Sequence, residues 1–208
     1  MKRHISILIC GLFFSCLAWA IESPVVMLKQ TSNEMVAALK KNHAKIKADP
    51  NVVYQLAEKI LVPDVDITAM SRLALGRQHW MAATEQQHKQ FEQVFMTLMI
   101  RTYASALSNY TDEEIRFQPL RVDPNKNQRV KVDSLIVQHG GPSIPVSYRL
   151  HQKNGQWKIY DLTVDGVSMV QSFHSQFANE IARGGMDGLL QAMRQHAKQV
   201  SQKAHANS

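Results

Sequence analysis

Cysteine is nearly absent from this 208-residue chain: there are two, Cys10 and Cys16, both close to the start. Past Cys16 the chain can build neither a disulfide nor a thiol nucleophile, whatever the redox state of its compartment. Glycine (9) and proline (7) are sparse enough to exclude collagen-like and low-complexity architectures. No internal repeat, Pro-rich stretch or Gly/Ser linker divides residues 21–208, and multi-span membrane classes are excluded. With 45% apolar and 20% charged residues, the composition is globular rather than disordered. The length suits one domain with a real core.

What is present begins with a leader. Lys2 and Arg3 precede an almost unbroken apolar run from Ile5 to Leu17, and Ala18-Trp19-Ala20 supplies small residues of the kind a signal peptidase reads. The pattern predicts that residues 1–20 are a signal peptide cleaved after Ala20. A membrane anchor fits less well, because the run is short and lacks a second basic flank. Phe13 and Phe14 spoil the small-residue context that lipid attachment at Cys16 would need. Cleavage removes both cysteines and two of the 24 basic residues, leaving 22 against 17 acidic, a charge of +5. In an exported protein that excess points to anionic lipid surfaces or an acidic protein as partners rather than nucleic acid. A plain solvated basic surface accounts for the charge as well. Arg101, Arg149 and Lys158 are the docking candidates by their flanking positions. The last residues, 201–208, are polar and are expected to form a disordered tail, leaving one domain over 21–200.

The first half reads as helices. Thr31-Ser32-Asn33-Glu34 is a capping-box pattern, although Val26 and Leu28 allow an earlier start. Pro50 opens a second helix and Pro63 breaks it. Asp64 or Asp66 can cap a third through Met70 and Leu75, ended by Gly76. Thr84-Glu85-Gln86-Gln87 is another capping box. The helix after it has an apolar arc of roughly 240°, far wider than the ~100° stripe of a helix lying on one core. It must be covered on more than one side.

The second half switches to period two. Ile115 and Phe117, then Val130, Val132 and Ile136, then Val146, Tyr148 and Leu150, then Trp157 to Val164 mark four strands with short connections. The expected fold is α+β: a four-stranded antiparallel sheet with N-terminal and C-terminal helices packed on it. For the last hairpin, a two-residue Asn154-Gly155 loop would pair Leu150 with Ile159 and Arg149 with Tyr160. A three-residue loop with left-handed Gly155 pairs Val146 with Leu162, Tyr148 with Tyr160 and His151 with Trp157. The second collects one apolar face and is the register expected, with Arg149 near Asp161 on the other face. Gly184-Gly185 interrupts the C-terminal helices.

A search for chemistry finds little that converges. There is no His-Glu-x-x-His and no Gly-x-Ser-x-Gly. The histidines are scattered without metal-ligand spacing. Asp64 and Asp66 are better read as helix caps than as a catalytic pair. Asp161 beside an apolar pocket is the one acid with enzymatic potential, and its pairing with Arg149 is the simpler account. The wide apolar helix facing an apolar sheet allows either a solid core or a ligand-sized cavity.

Several segments then stand out together. Leu75-Gly76-Arg77-x-x-Trp80 runs into Thr84-Glu85-Gln86-Gln87-x-x-x-Phe91, followed by Ile100-Arg101-Thr102-Tyr103-Ala104. Pro145-Val146-Ser147-Tyr148-Arg149-Leu150, Gly155-Gln156-Trp157-Lys158-Ile159-Tyr160-Asp161, Gly166-Val167-Ser168 and Phe173-His174-Ser175-Gln176-Phe177 complete the set. In order and spacing, from about residue 25 to 200, this chain resembles the MlaC family, also called the toluene-tolerance family. The resemblance implies a cystatin/NTF2-like α+β fold around an apolar lipid cavity, with no catalytic residue, no metal and no cofactor, phospholipid being the cargo. It implies a soluble periplasmic phospholipid carrier without stable membrane insertion. Its partners would be an outer-membrane lipoprotein–porin complex (MlaA-like) and an inner-membrane transporter with an MCE-domain ring (MlaD-like), and its role the upkeep of outer-membrane lipid asymmetry. In that cavity, Phe91, Phe95, Met99 and Tyr103 on the long helix are expected to face Val132, Val146, Tyr148, Tyr160, Leu162 and Val164 on the sheet. Leu73 would join them, with Val167, Met169, Val170 and Phe173 closing one side. The alternatives are a cystatin-like enzyme using Asp161 or a histidine as a base in an apolar pocket, and a periplasmic adaptor with a solid core and no ligand.

Overall fold

A computed structural model describes residues 22–108, 113–138 and 141–206. The expected leader, with Cys10 and Cys16, lies outside the described residues. Helix α1 (Pro24–Lys41) starts on Pro24 in the first-turn position, where a missing N–H costs nothing. Thr31 is therefore a mid-helix residue rather than a cap: its hydroxyl donates to the Met27 carbonyl and to Asp64. A short α2 (His43–Ala48) precedes α3 (Asn51–Ile60), and Pro63 lies in a 3-10 turn, Val62–Asp64.

Asp66 caps α4 (Ile67–Ala82), accepting from the Ala69 N–H at 3.1 Å. The third helix does not stop at Gly76 as expected. Gly76 adopts φ 74, ψ 160, so the helix kinks there and resumes through Trp80. Helix α5 (Glu85–Ser108) begins with a reciprocal capping box, Gln87 N–H to Thr84 Oγ1 at 3.2 Å and Thr84 N–H to Gln87 Oε1 at 3.0 Å. The last helix, α6 (Met169–Ala206), kinks at Gly185 and runs into the segment expected to be a tail. No glycine or proline after Gly188 would end it.

The sheet is antiparallel, in order β1 (Glu114–Phe117), β2 (Arg129–Val137), β3 (Ile144–Lys153), β4 (Gln156–Val164), β5 (Val167–Ser168). Five strands replace the four expected. The fifth is two residues long, too short for any alternation to announce it.

The β3–β4 hairpin also differs from expectation. Asn154 (φ 52) and Gly155 (φ 75) are both left-handed, giving a two-residue turn of the type that matches strand twist. Leu150 pairs with Ile159 and His151 with Lys158, not with Trp157. One residue later a β-bulge leaves Tyr160 unpaired, after which Arg149 meets Asp161, Tyr148 meets Leu162 and Val146 meets Val164. The bulge resolves a phase problem in β4, whose apolar residues fall at odd positions (Trp157, Ile159) and then at even ones (Leu162, Val164). One extra residue brings both pairs to one face. Arg149 and Asp161 do meet, at 3.6 Å.

Three apolar clusters fill the interior. One joins α4, α5 and α6 around Phe91, Phe95, Phe173, Phe177 and Leu189. A second joins α1, α2 and α3 to Ile100, Met96 and Leu107 of α5. The third lies between the start of α1 (Met27, Leu28) and the sheet (Val130, Val132, Leu150, Trp157). The wide apolar arc of α5 is thus explained by two helical layers, one on each side.

Candidate functional site

The pairing register assembles one apolar face across the sheet: Ile115 and Phe117, then Val130, Val132 and Ile136, then Ile144, Val146, Tyr148 and Leu150, then Trp157, Ile159, Leu162 and Val164. Its two ends differ. Toward the Asn154-Gly155 turn, Val130, Val132, Leu150 and Trp157 are buried beneath Met27 and Leu28. At the opposite end, Ile115, Ile136, Ile144 and Val164 are only half-buried. The apolar face is therefore closed at one end and only half-covered at the other.

Only weakly polar groups interrupt the face. Ser134, buried, gives its hydroxyl to the Val146 carbonyl at 3.5 Å. The Tyr148 ring lies 6.0 Å from that of Phe117. Burial pushes the Tyr148 phenol above its ordinary pKa, and the Ser134 hydroxyl lowers it less; burial also raises Tyr103. Both phenols are therefore neutral at physiological pH.

The expected wall residues fall into separate groups. Phe91, Phe95, Met99, Met169, Val170 and Phe173 lie buried in the α4–α5–α6 cluster, with Tyr103, Tyr160 and Leu162 partly buried against it. The phenylalanine rings engage each other: Phe95 meets Phe173 edge-on at 5.3 Å, and Phe91 meets Phe177 edge-on at 5.4 Å. Val132 and Tyr148 belong to the cluster under α1. Val146 is buried and Val164 half-buried on the apolar face, while Leu73 (47% exposed) and Val167 (60% exposed) stand at the surface. Sequence reasoning missed Ile115, Ile136 and Ile144 as wall candidates. The alternation that would have named them was visible, but their partial exposure was not.

Tyr160 does not face Tyr148. As the bulged residue it sits with its ring 5.2 Å from His151. A cleft of about 140 Å³ lies at the tight-turn end, lined by Glu22, Met27, Asp64, Trp157 and Lys158 among others. It is smaller than the roughly 300–1,000 Å³ of ordinary ligand pockets.

The acids that could serve an enzyme are committed elsewhere. Asp161, buried, accepts from the Ser168 hydroxyl at 3.0 Å and from the Val170 N–H at 3.4 Å, so it pins the start of α6 to β4. Asp66 bonds His151 Nε2 at 2.9 Å and Lys153 Nζ at 2.9 Å. Burial works to raise the Asp66 pKa, but Lys153, the Ala69 N–H and His151 together hold it below the usual carboxylate value. Among the described residues, no three His, Cys, Asp or Glu side chains gather as a metal site requires, and no helix is long and apolar enough to cross a membrane.

Known proteins resemble this arrangement over nearly its whole length. A family model described as MlaC protein matches residues 29–195. Toluene tolerance protein ttg2D of Pseudomonas putida is 30% identical over 187 residues, 90% of this chain and 85% of its own. The intermembrane phospholipid transport system binding protein MlaC of Haemophilus influenzae is 29% identical over 185 residues, 88% of this chain and 86% of its own. A phospholipid-binding protein from Ralstonia solanacearum, solved in complex with a phospholipid, superposes with a TM-score of 0.78 at 29% identity. That match covers 85% of this chain and 97% of the other.

Proposed function

The chain belongs to the MlaC family, and from that premise we propose that it is a phospholipid-binding transport protein of the periplasm. It is exported by the leader at residues 1–20 and carries lipid between an outer-membrane lipoprotein–porin complex and an inner-membrane MCE-domain ring. The observation that carries the reading is the fold shared with the Ralstonia solanacearum protein, whose structure holds a phospholipid.

In this reading the acyl chains lie against the apolar sheet face and enter from its half-covered end, past Ile115, Ile136, Ile144 and Val164. The head group stays toward solvent. Two chains of ordinary length, at about 0.8 kcal/mol per CH₂, would cost on the order of 25 kcal/mol to expose to water. A carrier must match the depth of the membrane's own well closely, or lipid will neither enter nor leave. Aliphatic and Met side chains suit that better than directional polar groups, because acyl chains vary in length and unsaturation. No catalytic step is assigned: Asp161 and Asp66, the buried carboxylates among the described residues, both hold structure together.

The test is native mass spectrometry with lipid extraction of the purified protein. Co-purifying phospholipid near one lipid per chain is the expected result. A preparation that is empty and stays empty after incubation with phospholipid vesicles would sink the proposal and favour the ligand-free adaptor.

A further inference from the structure

We infer that the solvent-facing side of strands β2 and β3 is a reversible docking surface for an anionic lipid membrane. On that side Arg129, Lys131, Arg149 and Lys153 are exposed, and Arg121 from the preceding loop lies close enough to influence Asp133. Lys131 stands directly opposite Arg149, and Arg129 directly opposite His151. The Lys131–Arg149 pair sets like charges opposite each other on neighbouring strands, which destabilises a sheet, so stability alone does not account for the arrangement. Lys131 is drawn to Asp133 at 3.0 Å and Arg149 to Asp161 at 3.6 Å, which eases the repulsion. Asp161 and Asp66 are buried, however, so Asp133 is the carboxylate on β2 and β3 themselves that reaches solvent; beside them Glu114 of β1 and Asp123 of the loop are exposed too, each next to a cation of its own, Arg116 and Lys126.

The chemistry of the face favours a lipid surface over a protein. Protein interfaces are anchored by buried aromatic and aliphatic side chains, and none of the large exposed hydrophobic residues lies on β2 or β3. A carpet of cations without an anchor suits a fluid array of anionic head groups that can rearrange beneath it, and it lets go again when salt screens the charges. The lysines at the ends of α1 and α2 offer a contrast. Lys40, Lys41 and Lys45 are exposed too, but each sits in the last turn of its helix, where the dipole already favours a cation.

The experiment is vesicle co-sedimentation of the purified protein at low and moderate salt. It uses vesicles of phosphatidylcholine alone and of equal parts phosphatidylcholine and phosphatidylglycerol. The protein is expected to bind the mixed vesicles at low salt, to leave them as salt rises, and to ignore phosphatidylcholine. At about fivefold per basic residue, the triple variant Arg121→Gln, Arg129→Gln, Lys131→Gln should bind about a hundredfold more weakly. The matched control, Lys40→Gln, Lys41→Gln, Lys45→Gln, removes the same charge and should keep most of its binding. Equal loss in both variants would mean that total charge, not this face, does the work, and the inference fails. It fails equally if the unaltered protein does not bind mixed vesicles, which would leave the face to an acidic protein. Bound phospholipid is counted on the same preparations, so an empty protein that still adsorbs refutes the carrier reading and not this one.

Discussion

Replacing Gly76 by alanine tests the kink on which the two halves of α4 depend. At φ 74, ψ 160 the backbone lies in a region that is essentially reserved for glycine, and a side chain forced there costs about 1–3 kcal/mol. A Cβ built on Gly76 would also come within 2.8 Å of His174 Cε1. That imidazole cannot swing away freely, because its Nδ1 is bonded to the Ala74 carbonyl at 3.0 Å, and losing such a bond costs about 1 kcal/mol. Gly76→Ala should therefore destabilise by about 2–4 kcal/mol, less a few tenths returned by the stiffer unfolded chain. Urea unfolding of the delipidated protein reads this directly, provided the m-value is unchanged. The double variant with His174→Ala separates the two parts: the clash disappears while the strain remains, so the combined loss should fall short of the sum by about 1 kcal/mol. If Gly76→Ala loses less than about 0.5 kcal/mol, the segment can relax into an ordinary helix and the reasoning fails.

Gly76 also shows where reading the sequence runs out. Its glycine character was legible, but a glycine ends a helix and kinks one alike by taking a positive φ, and only the packing of His174 and Trp80 beyond it decides between them. The capping box at Thr84 and Gln87 was readable because its hydrogen bonds are local. The change of phase in β4 was readable too. Two devices give the same apolar face, a three-residue loop or a two-residue loop with a bulge, and alternation alone does not distinguish them. The preference of Asn-Gly for a left-handed pair at residues 154 and 155 was the signal that favours the second. The apolar breadth of α5 correctly implied cover on several sides, but helices on two sides supply it. Exposure at the half-covered end of the sheet depends on how far the start of α1 reaches across it, a tertiary fact with no local trace. Hence the sheet face was legible as a face while the half-burial of Ile115, Ile136 and Ile144 at one end of it was not.

Three other consequences can be checked. Ser71 is fully buried and its hydroxyl has no hydrogen-bond partner, so Ser71→Ala should be neutral or raise stability by about 1 kcal/mol in thermal melting; a clear loss would reveal a missed partner. Asp66 has a depressed pKa in the fold, so its contribution is present above the unfolded carboxylate value near 3.8 and is lost as pH falls through the lower folded value. Acid titration of unfolding should show a loss of stability below about pH 4 that Asp66→Asn flattens, and an unchanged slope would remove Asp66 from the account. Tyr148→Glu places a carboxylate on the apolar sheet face, where an unpaired buried charge costs several kcal/mol, so the group must either neutralise or find water. Water drawn to it excludes acyl chains, so bound phospholipid should fall to a small fraction of the unaltered level, whereas Tyr148→Phe keeps it. A Tyr148→Glu variant that remains folded and fully loaded would show that the acyl chains do not run along this face.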